Sequence, residues 1–167
     1  GGTVVADSVF LGQNATSVGT MVVSGASSVT TDTFELGRHG EALLRVENGG
    51  VVTATTSLIA ESPDGSSGDY GQTGRIEVRG AGSAIEAARV DATASLLIED
   101  GGAIRSDVAN IKNSFGAGSG ESRAKATLTG TGSEWVNTGA MKVTTDLQVL
   151  DGASITTDTL SVSGGSD

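Results

Sequence analysis

One phrase is written three times along this chain: "LLRVENGGVV" from Leu43, "LLIEDGGAI" from Leu96 and "LQVLDGASI" from Leu147. A second phrase, one residue longer at its turn, lies between the copies as "VRGAGSAI" from Val78 and "LTGTGSEW" from Leu128. "VVSGASSV" from Val22 is a variant of the first. Taking the last apolar residue before each turn as an anchor gives Val23, Val46, Val78, Ile98, Leu128 and Val149. Val46 to Ile98 is 52 residues, Ile98 to Val149 is 51 and Val78 to Leu128 is 50. Two interleaved phrases with so regular a period signal a repeat architecture, in which each unit buries its apolar face only against its neighbours.

Within each phrase the apolar residues alternate, so residues two apart share a face of a strand. Leu44 and Val46, Ile76 and Val78, Leu96 and Ile98, and Leu147 and Val149 are expected to point inward together, with Glu47, Arg79 and Glu99 pointing out. The turns have a physical basis. Gly49, Gly50, Gly101 and Gly102 allow positive φ, and Asn48, Asp100 and Asp151 tolerate the left-handed region while bonding to nearby backbone. An isolated Asn-Gly also suits a hairpin. The spacing of neighbouring anchors, about 20 residues or about 30 with a loop, instead fits a full coil of several short strands. The stretch "SAIEAARVDATASLL" from Ser83 has helix formers at near-helical spacing. Its repeat mate from Ser133, "SEWVNTGAMKVTTDLQV", carries Gly139, Asn137 and β-branched residues, so both are read as strands.

The expected fold is all-β: a right-handed parallel β-helix of about seven coils, counting partial ones, and of the order of 30 Å long at roughly 4.8 Å per coil. Residues 1–167 form one segment with two insertions, 61–73 and 113–125. Phe34, Leu58, Val90, Ile111, Met141 and Leu160 are further inward candidates, and Trp135 occupies the place of Ile85 and is read as core. Composition agrees. Five aromatic residues and one Pro leave Val, Ile, Leu and small residues to build the core in layers. The chain has no Cys, which excludes disulfides, thiolate metal sites and cysteine nucleophiles, and suits passage through an oxidising periplasm. Twenty acidic residues against ten basic ones give a net charge of −10. Such a surface repels phosphate backbones, and the basic residues form no run, so neither nucleic-acid binding nor membrane docking is expected. No stretch is long and apolar enough to span a bilayer, and "GGTVVADSVF" is no signal peptide. Gly1-Gly2 and the final "GGSD" resemble cut points, so an excised piece of a longer chain is expected.

The order "LxVxxGGxV", a "GSxG" loop, then "VTVxGxGSxW" resembles the repeat of autotransporter passengers and PEP-CTERM-associated secreted proteins. Here it runs through "LRVENGGVV", "SLIAESPDGSSGDYGQTG" and "RIEVRGAGSAI", and again through "KATLTGTGSEWVNTGAMKV". The likeness covers Thr20 to Ser163. It implies a bacterial passenger segment, exported through the periplasm and outer membrane by a C-terminal barrel and displayed on the cell surface or secreted. Such segments are commonly adhesive, which implies contact with a host or bacterial cell-surface protein or glycan, or with a sister molecule. The tryptophan usual in that repeat is Ile85 in one copy and Trp135 in the other, which disfavours any ligand needing an identical site in each copy.

The candidate contact residues lie on the insertions "ESPDGSSGDYGQT" and "NSFGAGSGESRAK": Asp69 and Tyr70 in the first, Phe115 and Arg123 in the second. Both insertions follow the first phrase, so they are expected at one corner of the rod, two coils and hence about 10 Å apart. An aromatic ring on a polar loop is a typical contact for sugars or proteins; the alternative is a ring folded back as a lid on the coil. Asp32, Asp107 and Asp158 each stand three residues beyond a turn's apolar residue, on one edge. Paired carboxylates could act as acid and base in a polysaccharide-cleaving enzyme, but turn formation explains these more simply. His39 in "LGRHGEA" has no ligand-spaced partners, "GSSGDYG" lacks a calcium-repeat period, and "NAT" from Asn14 fits a glycosylation sequon. Neither a metal nor a cofactor is implied, and no catalytic residue set is visible.

Overall fold

The computed structural model describes residues 1–14, 16–61, 74–112 and 125–163. Among these, seven long strands form one sheet: β1 (Thr3–Leu11), β3 (Ser28–Leu36), β5 (Val51–Ala60), β7 (Ala84–Ala92), β9 (Ala103–Lys112), β11 (Glu134–Thr144) and β13 (Ser154–Val162). Six shorter strands form the other: β2 (Val18–Ser24), β4 (Glu41–Glu47), β6 (Gly74–Arg79), β8 (Ser95–Glu99), β10 (Lys125–Thr129) and β12 (Asp146–Leu150). The chain alternates between the sheets, and every pairing is parallel. Each coil is therefore one long and one short strand. Six such coils and a final long strand make the expected right-handed parallel β-helix. The stretch from Ser83 is strand, as its repeat mate is.

The two phrases are two turns that fit on one another. In the first, Asn48, Asp100 and Asp151 take φ of 53°, 54° and 52°, each followed by a glycine at 82° to 85°. The next residue, Gly50 or Gly102, passes so close to the preceding coil that an added Cβ would stand 2.2 Å from Val23 O or 2.4 Å from Val78 O. The second phrase places Ser83 and Ser133 at the same corner, one coil on. There the Ser83 hydroxyl accepts a hydrogen bond from Gly49 N at 3.0 Å, and that of Ser133 from Gly101 N at 3.1 Å. Each serine satisfies an amide that the tight left-handed turn beneath it cannot pair. Alternation of a glycine turn with a serine turn makes the sequence repeat two coils long.

Register stacks like on like. The short sheet buries the columns Met21–Leu44–Ile76–Leu96–Ala126–Leu147 and Val23–Val46–Val78–Ile98–Leu128–Val149. Each long strand bends midway: in β5, Val52, Ala54, Leu58 and Ala60 are buried while Thr55 and Thr56, consecutive, are exposed. Broken alternation coincides with a shift of register at the bend, the signature of a bulge. Beside the bend the inward column is small: Thr31, Ala54, Ala87, Ser106, Asn137 and Thr157. Where Trp135 replaces the isoleucines of its column, this neighbour turns polar. Trp135 Nε1 donates to Ser106 Oγ at 3.0 Å, Ser106 Oγ to Asn137 Oδ1 at 2.8 Å and Asn137 Nδ2 to Thr157 Oγ1 at 3.2 Å. Thus Trp135 is core, with its indole N–H satisfied inside the coil.

Phe34, Leu58, Val90, Ile111 and Met141 are buried as expected. Val149 and Leu160 differ. Both keep their column positions opposite Leu128 and Met141, yet they are 42% and 47% exposed, because among the described residues β12 and β13 are the edge strands of their sheets.

If the serine turns hold the coils in register, Ser83→Ala and Ser133→Ala should each lower the unfolding free energy by about 1–3 kcal/mol, the cost of orphaning one buried amide. Urea denaturation of the two variants checks this, and unchanged midpoints would show the glycine amides to be satisfied otherwise.

Candidate functional site

Asp69, Tyr70, Phe115 and Arg123 lie outside the described residues. The strands that flank the two insertions are described. The chain leaves β5 at Ala60 and enters β6 at Gly74; it leaves β9 at Lys112 and enters β10 at Lys125. Both exits are from the long to the short sheet, with β7 and β8 forming the coil between. The expected common corner, two coils apart, is therefore where both insertions begin and end.

Asp32, Asp107 and Asp158 all sit at the bend of a long strand. Asp32 accepts from Thr55 Oγ1 at 2.7 Å and Asp107 from Thr138 Oγ1 at 2.9 Å, each tying its bend to that of the next coil. Both residues lie within strands, and these bonds join the bends of neighbouring coils without closing a turn. Around Asp107 there is also a shallow concavity of about 360 Å³, running from Thr53 and Thr55 across Glu86 and Arg105 to Val136 and Thr138. Arg105 is held to one side by Glu134, Nη2 to Oε1 at 2.6 Å.

A second group was not anticipated from sequence. The outward face of the short sheet gathers Arg45, Arg75 and Arg79 about Glu77. Arg45 Nε donates to Glu77 Oε2 at 2.8 Å, Arg75 Nε lies 2.7 Å from Oε1 and Arg79 Nη2 lies 3.0 Å from Oε2. Glu77 is only 2% exposed, although its strand position faces out. Three guanidinium groups cover it, and a carboxylate so deprived of water is stable only when paired in this way. The hydrogen bond to Glu77, and then its charge, hold Arg45 above the usual arginine range. Arg79 Nε is 2.9 Å from Glu99 Oε1, at an angle that leaves it without a hydrogen bond. Alternation in "RIEVR" puts Arg75, Glu77 and Arg79 on one face, which was the available signal; the part of Arg45 needed the register of β4 on β6. Beside this group a concavity of about 300 Å³ is lined by Val18, Thr20, Glu41, Leu43, Arg45 and Arg75.

His39 is an exposed residue of the link between β3 and β4, and Asn14 is exposed in the link between β1 and β2. Among the described residues no three His, Cys, Asp or Glu are grouped to hold a metal, and no helix is long and apolar enough to cross a membrane. Comparison with protein-family models, with curated proteins and with solved structures finds no match in any of the three. The likeness to autotransporter passengers therefore rests on the repeat residues alone, while the β-solenoid architecture stands on the strand pairing.

Beyond the bend of β7, burial acts to raise the Asp91 carboxyl, but hydrogen bonds from Arg89 and from Asn110 Nδ2 at 2.9 Å, with the charges of Arg89 and Lys112, bring it below the ordinary range. A carboxylate with a depressed folded pKa stabilises the protein above its unfolded value and loses that contribution as pH falls through the folded one. Melting temperature followed from about pH 5 to about pH 2 should thus fall less steeply in Asp91→Asn than in the parent chain. Parallel curves would mean that the Arg89 contact contributes nothing.

Proposed function

We propose that this chain is a rod segment of a surface-displayed or secreted bacterial passenger, and that its role is contact with a host or bacterial surface protein or glycan, or with a sister molecule. The observation that carries the reading is the corner at which both insertions leave the rod. A stiff stack of coils fixes the spacing of the two loops, and the loops present Tyr70 and Phe115 on an otherwise aromatic-poor chain. Export through the periplasm suits the absence of cysteine. Nothing in the reading calls for a catalytic step, a cofactor, a nucleic acid or insertion into a membrane. A stalk that merely spaces another region from the cell shares the rod but not the loops' task.

One observation favours a second reading, a polysaccharide-active enzyme. The concavity at the bend brings Glu86, Arg105 and Asp107 to one place, two carboxylates and a guanidinium on neighbouring coils. Against it stand the bonds already made by Arg105 to Glu134 and by Asp107 to Thr138.

Replacing both Tyr70 and Phe115 by Ala should weaken adhesion of the purified chain to cells or glycan arrays while leaving its melting temperature unchanged. Undiminished adhesion would remove the loops from the account, and a parent chain that binds nothing would favour the stalk. Depolymerisation of an acidic glycan, lost in Asp107→Ala, would establish the enzyme instead.

A further inference from the structure

Apart from the insertions, the described surface holds a cluster of three arginines about Glu77. Its geometry is that of a held fork. Arg45 and Arg75 both give their Nε to Glu77, one to each carboxylate oxygen. Arg45 and Arg75 both line the concavity at the start of the short sheet, and each planar guanidinium carries five N–H donors, more than its contact with Glu77 uses. Their side chains remain 34% and 52% exposed, so the outer edges meet solvent while the inner edges are locked. Two positioned guanidinium groups at one concave place suit a carboxylate or sulfate, which accept two parallel hydrogen bonds from such a fork.

The surroundings narrow the ligand further. Leu43 and Val18 supply apolar surface beside the arginines, while Thr20 and Glu41 supply a hydroxyl and an acceptor. Glu41 and Glu77 in the same lining repel a bare anion and accept from hydroxyl groups, which favours a polyhydroxylated molecule whose anionic groups are spaced along it. Along the rod, the column of Arg75 continues through Ser95 to Lys125, two coils and so about 10 Å on. Arg75 and Lys125 are each among the first residues after an insertion, so both cations stand at the foot of the corner that carries the loops. Asp146, opposite Lys125 on the last coil, ends the run.

We propose that Arg45 and Arg75, positioned by Glu77, bind one carboxylate or sulfate group of an acidic glycan lying along the rod, and that Lys125 meets a second. The saccharide rests on the contact reading above; the oxyanion site rests on the arginine geometry. Arg75 and Arg45 touch the ligand, and Glu77 acts through them.

Calorimetric titration of the full chain with an oligogalacturonate, a heparin oligosaccharide and a neutral oligosaccharide tests this and separates the two oxyanions. At least one acidic ligand should bind, more weakly at higher salt, and the neutral one should not. Arg75→Gln and Arg45→Gln should each raise its dissociation constant about tenfold or more, as expected for loss of a charge-assisted hydrogen bond, with Lys125→Gln having a smaller effect. Lys142→Gln, on the other sheet, should change nothing. Glu77→Gln separates positioning from charge: it makes the patch more positive, so attraction alone would tighten binding, whereas loss of the fork weakens it. Acidic ligands bound no better than the neutral one, equal binding by Arg75→Gln, or tighter binding by Glu77→Gln would overturn the site. Adhesion to cells that persists after any of those results leaves the contact reading standing without it.

Discussion

Stacking one winding of backbone on the next, in register, is the constraint from which the other features of this protein follow. A parallel ladder has no preference of its own for which residue faces which, and a slip by one residue would turn every aliphatic column to water. Here the corners set the register. A left-handed Asn48 or Asp100 and its glycine set the next glycine so close to the coil below that an added Cβ would stand 2.2 to 2.4 Å from a carbonyl oxygen there. The next coil answers with a serine whose hydroxyl caps the exposed glycine amide. Glycine in one turn creates both the space and the unpaired donor that serine in the next one uses. Columns such as Val46–Val78–Ile98–Leu128 then add the burial that makes the stack stable.

The same register determines what the surface can do. Outward residues separated by some thirty positions in sequence become neighbours on adjacent strands, as Arg45 and Glu77 do. Insertions at one corner do not disturb this, because a parallel coil needs only its strands in place and its links can be of any length. The result is a stiff frame on which spacing along the axis is set in steps of about 4.8 Å. On the outer face of the short sheet Arg45, Arg75, Arg79 and Lys125 stand among Glu41, Glu47, Glu77, Glu99 and Asp146, so charges of both signs lie side by side there. That local contrast, more than net charge, decides which ligands the face can meet.

Much of the fold could be read before any coordinates, since its two signals are local. Period-two alternation identifies inward residues, and Asn-Gly or Asp-Gly identifies a left-handed turn wherever it stands. Why the repeat spans two coils was not readable, because the Ser83 and Gly49 bond joins residues from different coils. Nor was the polar ladder from Trp135 to Thr157, which depends on Ser106 and Asn137 being stacked inward beside the bend. Leu160 and Val149 fit their columns in sequence as well as Met141 and Leu128 do; only their place on the last coil exposes them. For the surface, sequence pointed to rings on the insertions and regarded the basic residues as scattered. They are scattered along the chain, and the coils bring three of them to one carboxylate.

The absence of native cysteine makes the register open to direct measurement. Thr127 on β10 faces Gln148 on β12, and Leu150 stands two residues further on the same outer face. A chain carrying T127C and Q148C should close a disulfide readily under mild oxidation, since adjacent strands bring the two Cα atoms to about 5 Å, within the bridging range. One carrying T127C and L150C should not. Equal closure of both pairs, or closure of the second alone, would contradict the stacked register and with it the corner, the columns and the arginine site.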